Sequence, residues 1–146
     1  MEHPEQRAML EADPSLIDGA IREMLRYSPA VLHFRRTATQ DVPLRDQVIR
    51  KGDKVTIWYP SANRDEEIWP DADVFNVRRD ASAQLAFGVG EHFCLGAHLA
   101  HLELRAILTQ CLARLKNPEP AGPLRRLRSN FINGVKEMPI RFEGAA

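Results

Sequence analysis

The sequence predicts an α+β protein, mainly α with small β-sheets. Two helical patterns carry that prediction, one near the start and one leucine-rich run beyond residue 96, with short β-branched segments bounded by turn residues between and after them. One domain is expected, because 146 residues supply a single core and do not justify arguing for two. Hydrophobic residues at 44% and charged residues at 27% exclude a collagen-like, mucin-like or disordered chain.

The elements follow in order. Asp13 can cap a helix and Pro14 suits its first position, after which Leu16, Ile17, Ala20, Ile21 and Met24 recur at helical spacing up to Ser28-Pro29. β-branched and aromatic residues suggest a strand from Val31 to Ala38. Val48-Ile49 and the segment from Val55 to Tyr59 flank the turn-like Lys51-Gly52-Asp53 and are expected to form a hairpin. The stretch from Pro70 to Phe93 lacks periodicity and is read as a long ordered loop, a feature that is usually functional inside a compact domain. From Ala97 to Lys116, Leu99, Ala100, Leu102, Leu104, Ile107, Leu108, Cys111, Leu112 and Leu115 cover more than one stripe of a helix, so it needs burial on most sides. Too little else is available to cover it, which points to a larger protein body or to a homodimer. After the prolines at 118, 120 and 123, the run Phe131-Ile132, the turn-like Asn133-Gly134 and the segment from Met138 to Phe142 suggest a last hairpin.

Charge and cysteine content narrow the setting. Twenty Lys+Arg balance twenty Asp+Glu, so no global field recruits nucleic acid or anionic lipid. Cys94 and Cys111 are too few for a disulfide scaffold and match no paired metal-knuckle spacing. The start at Met1-Glu2-His3-Pro4 lacks a basic, apolar leader, and no stretch approaches the eighteen or so apolar residues of a membrane span. A cytoplasmic setting without a membrane is expected.

The densest constellation is Phe87-Gly88-Val89-Gly90-Glu91-His92-Phe93-Cys94-Leu95-Gly96, running directly into the long helix. A cysteine at a helix entrance meets free backbone N–H groups and the positive end of the helix dipole, which favour an anionic sulfur as metal ligand or nucleophile. Gly90 and Gly96 carry no Cβ and let the backbone approach something flat and bulky. A Cys/His reading competes, since Cys94, His98 and His101 lie near one helix face and His92 could close a zinc shell, but it leaves Phe87 and the glycines without a purpose.

Phe87, Gly90, His92, Cys94 and Gly96 fill every place of the cysteine-loop pattern of the cytochrome P450 family, the haem-thiolate monooxygenases, and the sequence resembles that family. The resemblance implies that Cys94 is the proximal ligand of the iron of haem b, that His92 contacts a propionate, that Phe87 packs against the macrocycle, and that the glycines, Gly88 included, admit the N–H groups that tune the sulfur. Ala100, one turn beyond Gly96, is placed with them at the cofactor. Glu23 and Arg26, three apart on the first long helix, match a second family signature, and Arg79 rather than Arg78 matches the arginine that completes it; the three are read as a structural lock. Arg36, from Phe34-Arg35-Arg36, is assigned to the second propionate, a task that a planar guanidinium suits. Val31, Leu32, Phe131 and Ile132 occupy positions that line the family's substrate pocket. Cys111 is read as a small buried hydrophobe, and Arg125, Arg126 and Arg128 as a solvated turn rather than a docking patch.

The resemblance runs from the helix start at His3-Pro4-Glu5-Gln6 to the final hairpin and implies that residues 1–146 form one unit, the C-terminal portion of the cytochrome P450 fold, without the distal helix whose acid and threonine serve dioxygen. No catalytic residue in that sense is expected here. The implied chemistry is insertion of one oxygen atom into a small apolar organic substrate, with electrons from a ferredoxin or flavoprotein, and the ending from Arg126 to Gly134 is similar to members that oxidise steroids. The chain alone is expected to be inactive, and a complementing N-terminal half or self-association is implied. The reading from a different class is a non-enzymatic, haem-binding or self-associating remnant.

Overall fold

The computed structural model describes residues 2–144. Pro4 opens α1 (Pro4–Ala12), where its missing N–H costs nothing. The Asp13 carboxylate then accepts from the Ser15 N–H at 3.1 Å and from its hydroxyl at 2.6 Å, turning the chain through a 3-10 turn at Pro14–Leu16 into α2 (Ile17–Tyr27). Pro29 follows the last turn of α2 and stops it. Leu10 of α1, Ala20 of α2 and Val77 of the later loop bury one another, with Met9, Leu16, Met24, Phe75 and Leu112 closing around them.

Beyond α2, β1 (His33–Thr37) is followed by β2 (Val42–Leu44) and β3 (Gln47–Ile49), then by β4 (Lys54–Trp58). The turn at Lys51-Gly52-Asp53 forms, with the Asp53 N–H on the Arg50 carbonyl at 3.0 Å and Gly52 at φ +93°. The expected hairpin across it does not. Val42 to Leu44 pair with Gln47 to Ile49 around the two-residue Arg45-Asp46 turn, while Lys54 to Trp58 pair antiparallel with His33 to Thr37. A tight local turn captures Val48-Ile49 first, and β4 finds its partner at longer range. Tyr59, expected to end a strand, instead starts the short α3 (Tyr59–Ala62), with Pro60 in its first turn.

The stretch from 70 to 93 is a chain of turns with a 3-10 turn at Gly90–His92, held on a small core of Trp69, Ala72 and Ala81. It is ordered without being regular. α4 (Ala97–Arg114) ends before Lys116, because Leu115 already begins β5 (Leu115–Pro120). Within α4 only Ala97 is fully buried, and Leu99, Leu102 and Ile107 are 63%, 68% and 60% exposed. The described residues therefore leave uncovered an apolar helix that the sequence marks for burial.

The last segment pairs differently from the expected hairpin. The prolines at 118 and 120 lie inside β5, which pairs antiparallel with β8 (Ile140–Gly144) in a two-stranded sheet whose register shifts between Lys116 and Glu119. Both strands of such a sheet are edges, so a missing N–H is tolerated. Nor does Asn133-Gly134 turn a hairpin into Met138–Phe142. β6 (Arg125–Arg126) pairs instead with β7 (Val135–Glu137), and the Leu127 N–H closes onto the Gly134 carbonyl at 2.9 Å. Among the described residues no helix is long and apolar enough to cross a membrane.

Candidate functional site

The site is built on a buried ion cluster in α2. Glu23 and Arg26 are both 0% exposed, and the guanidinium of Arg26 donates to both carboxylate oxygens at 2.7 and 2.9 Å. Its remaining N–H groups reach the carbonyls of Asn63 at 2.7 Å, Ala72 at 2.8 Å and Val74 at 3.3 Å, so all five donors are used. The faces of Trp69 and Tyr27 cover it, 5.5 and 5.8 Å from its centre. Arg79 adds a second cation 3.4 Å from the Glu23 carboxylate and donates to the Pro70, Asp71 and Val74 carbonyls, while Arg78 stays exposed. The Asn76 N–H completes the shell of Glu23 at 3.0 Å. A buried charge is tolerable only when paired and hydrogen-bonded to this degree. Beyond their mutual ion pairs these groups bond the backbone of the loop, which makes them a clamp on the segment from 63 to 79.

That clamp carries the cysteine loop. A turn at residues 85–88 is closed by the Gly88 N–H on the Leu85 carbonyl at 2.9 Å, and the Phe87 carbonyl within it accepts the Cys94 N–H at 2.9 Å. The Phe93 N–H meets the Gly90 carbonyl at 3.0 Å, and the Cys94 carbonyl accepts from Ala97 as α4 begins. Cys94 is thus fixed through its backbone while its free thiol is exposed. Gly88 and Gly90 have φ of +73° and +74°, a region that side-chain-bearing residues avoid. A Cβ on Gly90 would meet nothing within 4 Å, and one on Gly96 would stand 4.0 Å from the Cys94 sulfur. The Phe87 ring lies between Phe93 and His101, at centroid distances of 6.4 and 5.5 Å. Burial holds the His101 imidazole below its ordinary pKa; Arg22 and His98 push the same way, and Asp18 opposes them. Ala100, half-buried, lies one turn into α4 with its N–H on the Gly96 carbonyl.

Arg36 is exposed on β1, its guanidinium 5.7 Å over the Phe34 ring and on the Arg35 carbonyl at 3.0 Å. Phe34 in turn faces Tyr59 at 6.2 Å, and a Cβ on Gly88 would stand 3.4 Å from the Tyr59 hydroxyl, so Tyr59 links the Arg36 strand to the cysteine loop. The structure also joins the two pocket segments: Val31 bridges Ile132, and the Leu32 N–H meets the Phe131 carbonyl at 2.9 Å. Phe131 packs edge-on against Phe34 at 5.4 Å. By contrast, no group of three or more His, Cys, Asp or Glu side chains among the described residues could hold a metal ion, so Cys94, His92, His98 and His101 do not form the zinc shell weighed from the sequence. α4 starts at Ala97, so Cys94 lies outside the helix and does not share a helix face with His98 and His101 as that reading assumed.

Tyr59, Asn63 and Asn76 join this site without having been marked by the sequence. Tyr59 and Asn63 sit in a segment read as strand end and connector, and their roles arise from partners in distant parts of the chain.

A haem needs an axial ligand, for which a thiolate serves, room for a flat ring and cations for two propionates. The donor set fits. One exposed thiol stands among glycines with open space at Gly90, and Arg36 and His92 enter no ion pair among the described residues.

Comparison with known proteins agrees with this geometry. The family model described as Cytochrome P450 matches residues 11–131. The chain is 43% identical over 143 residues to cytochrome P450-terp of a Pseudomonas species, covering 98% of this chain and 33% of that protein. It is 42% identical to linalool 8-monooxygenase of Pseudomonas putida, over 95% of this chain and 34% of the other, and 38% identical to the steroid C26-monooxygenase of Mycolicibacterium smegmatis, over 100% and 37%. Among solved structures, cytochrome P450-153 from Novosphingobium aromaticivorans superposes with a TM-score of 0.90 at 42% identity, covering 97% of this chain and 36% of that one. The chain spans about a third of the length of the curated relatives it matches.

Proposed function

The chain belongs to the cytochrome P450 family, whose members bind haem, and from that premise we propose that residues 1–146 are the haem-ligating C-terminal portion of a monooxygenase. The observation that carries this reading is the exposed Cys94 thiol on a loop pinned by the Cys94 N–H to the Phe87 carbonyl at 2.9 Å. Cys94 would hold the iron as its thiolate. The turn that ends in Gly88 fixes the backbone of Cys94, Gly90 and Gly96 leave the ring room, and Phe87 gives it an apolar edge. Arg36 and His92 would each take one propionate, and Ala100 would pack beneath. The haem, once bound, supplies activation of dioxygen for insertion of one oxygen atom into the substrate.

Val31, Leu32, Phe131 and Ile132 would form part of an apolar substrate wall, consistent with relatives named for linalool and for a steroid. Electrons would come from a ferredoxin or flavoprotein, in a cytoplasmic setting where both thiols stay reduced. The groups that serve dioxygen lie outside these residues, so the chain alone turns over no substrate and needs a complementing distal part. Turnover by the purified chain with a redox partner would overturn that statement. The exposed leucines of α4 favour the second reading, a self-associating remnant, to the extent that they pair copies of the chain in place of a distal part.

Titration with haem tests the proposal. Cys94→Ser is expected to abolish thiolate-type absorption, and Cys111→Ser, half-buried on α4, to leave it unchanged. Identical spectra from both variants would contradict the assignment.

A further inference from the structure

We propose that Asn63 is a positioning residue for the Cys94 ligand, joining the buried Glu23–Arg26 clamp to the cysteine loop; the spectroscopic half of the inference rests on the haem reading above. Asn63 is 0% exposed at the end of α3 and, among the described residues, buried together with the polar Glu23 and Arg26. Its backbone carbonyl accepts from Arg26 at 2.7 Å, and its side-chain Oδ1 accepts the Leu85 N–H at 2.8 Å. Leu85 opens the turn that Gly88 closes, and Phe87 within that turn holds the Cys94 N–H. One unbroken line of hydrogen bonds therefore runs from Arg26 through Asn63 and the 85–88 turn to the backbone of Cys94.

The side chain also shows where its purpose lies. Nδ2 of Asn63 is buried with no hydrogen-bond partner, a cost that native interiors seldom carry. Only the acceptor half of this side-chain amide is used, and it is spent on the loop rather than on α3. Asn63→Asp keeps the acceptor that Leu85 needs, although it buries a carboxyl group in place of a neutral amide, whereas Asn63→Ala removes the acceptor.

Amide hydrogen exchange on the full chain without haem reads the link directly. Asn63→Ala is expected to strip protection from the Leu85, Gly88 and Cys94 amides together while the Asn76 amide, bound to Glu23, keeps its own, and Asn63→Asp restores the loop. With haem added, Asn63→Ala is expected to lower affinity by roughly tenfold or more and to shift the spectrum toward neutral-thiol or histidine ligation, with Asn63→Asp again close to the unsubstituted chain. Unchanged exchange and spectrum in Asn63→Ala overturns the inference. Should Asn63→Ala not fold, the unsubstituted chain decides: Leu85 and Cys94 protected to the same degree supports the link, and free exchange at Leu85 overturns it. Absence of haem uptake by every form would overturn the haem reading and leave the exchange test standing.

Discussion

Two single residues, Gly90 in the cysteine loop and His101 beside it on α4, make the sharpest predictions. Gly90 sits at φ +74°, so Gly90→Ala forces a Cβ into the left-handed region and should cost about 1–2 kcal/mol of stability, read as a lower urea midpoint. No neighbour lies within 4 Å of that Cβ, so the loss reports backbone strain and not crowding. His101 predicts a pH dependence. Burial depresses its pKa in the folded chain, so the unfolded chain binds the extra proton first as pH falls below the ordinary imidazole value of about 6.5. Stability is therefore at its plateau above that value and declines as the pH drops toward the depressed folded value. Urea midpoints should fall between about pH 7 and pH 5, and His101→Gln, which keeps a polar side chain beside Phe87, should flatten that slope. The lowered carboxyl pKa values of Asp13, Asp41 and Asp80 act in a more acidic range and leave this window to the histidine.

Among the elements, α2 carries the largest stake. Removing Arg26 leaves Glu23 buried beside a single partly exposed cation and orphans the Asn63 and Ala72 carbonyls, so Arg26→Ala should cost about 3–5 kcal/mol in urea unfolding. Against a total stability of about 5–15 kcal/mol such a loss brings the chain close to unfolding. The exposed Arg45–Glu67 pair, of similar length at 2.9 Å, is the control, and Arg45→Ala should cost about 1 kcal/mol or less. The sequence shows that Glu23 and Arg26 share a helix face, because three-residue spacing is a local property. It does not show what covers that face, since the Asn63, Ala72 and Val74 carbonyls arrive from 37, 46 and 48 residues away. The strands divide in the same way. β1 is legible from Val31 to Ala38 by its residue types, whereas its pairing with Lys54 to Trp58 depends on a hairpin at Arg45-Asp46 that no glycine or asparagine announces. β5 was hidden by its own prolines, which a two-stranded sheet accepts at positions where a wider sheet would not.

The whole molecule is shaped by the uncovered side of α4. The mismatch was visible in the sequence as a helix with more apolar stripes than the rest of the chain can cover, and Leu99, Leu102 and Ile107 on the surface are its structural form. The purified chain should therefore associate with rising concentration in sedimentation velocity, and Leu102→Lys with Ile107→Lys should return it to a monomer; a monomer at every concentration would contradict this. The cysteine loop was equally legible, because Phe87, Gly90, His92, Cys94 and Gly96 lie within ten residues, whereas its attachment to Arg26 through Asn63 spans the chain and emerges only once it is folded. Whether Cys94 presents a thiolate to haem iron is read by reconstituting the chain with haem, reducing it and recording the carbon monoxide difference spectrum. A long-wavelength Soret band of the thiolate type is expected. A band of the histidine or neutral-thiol type, or no haem uptake, would contradict that assignment.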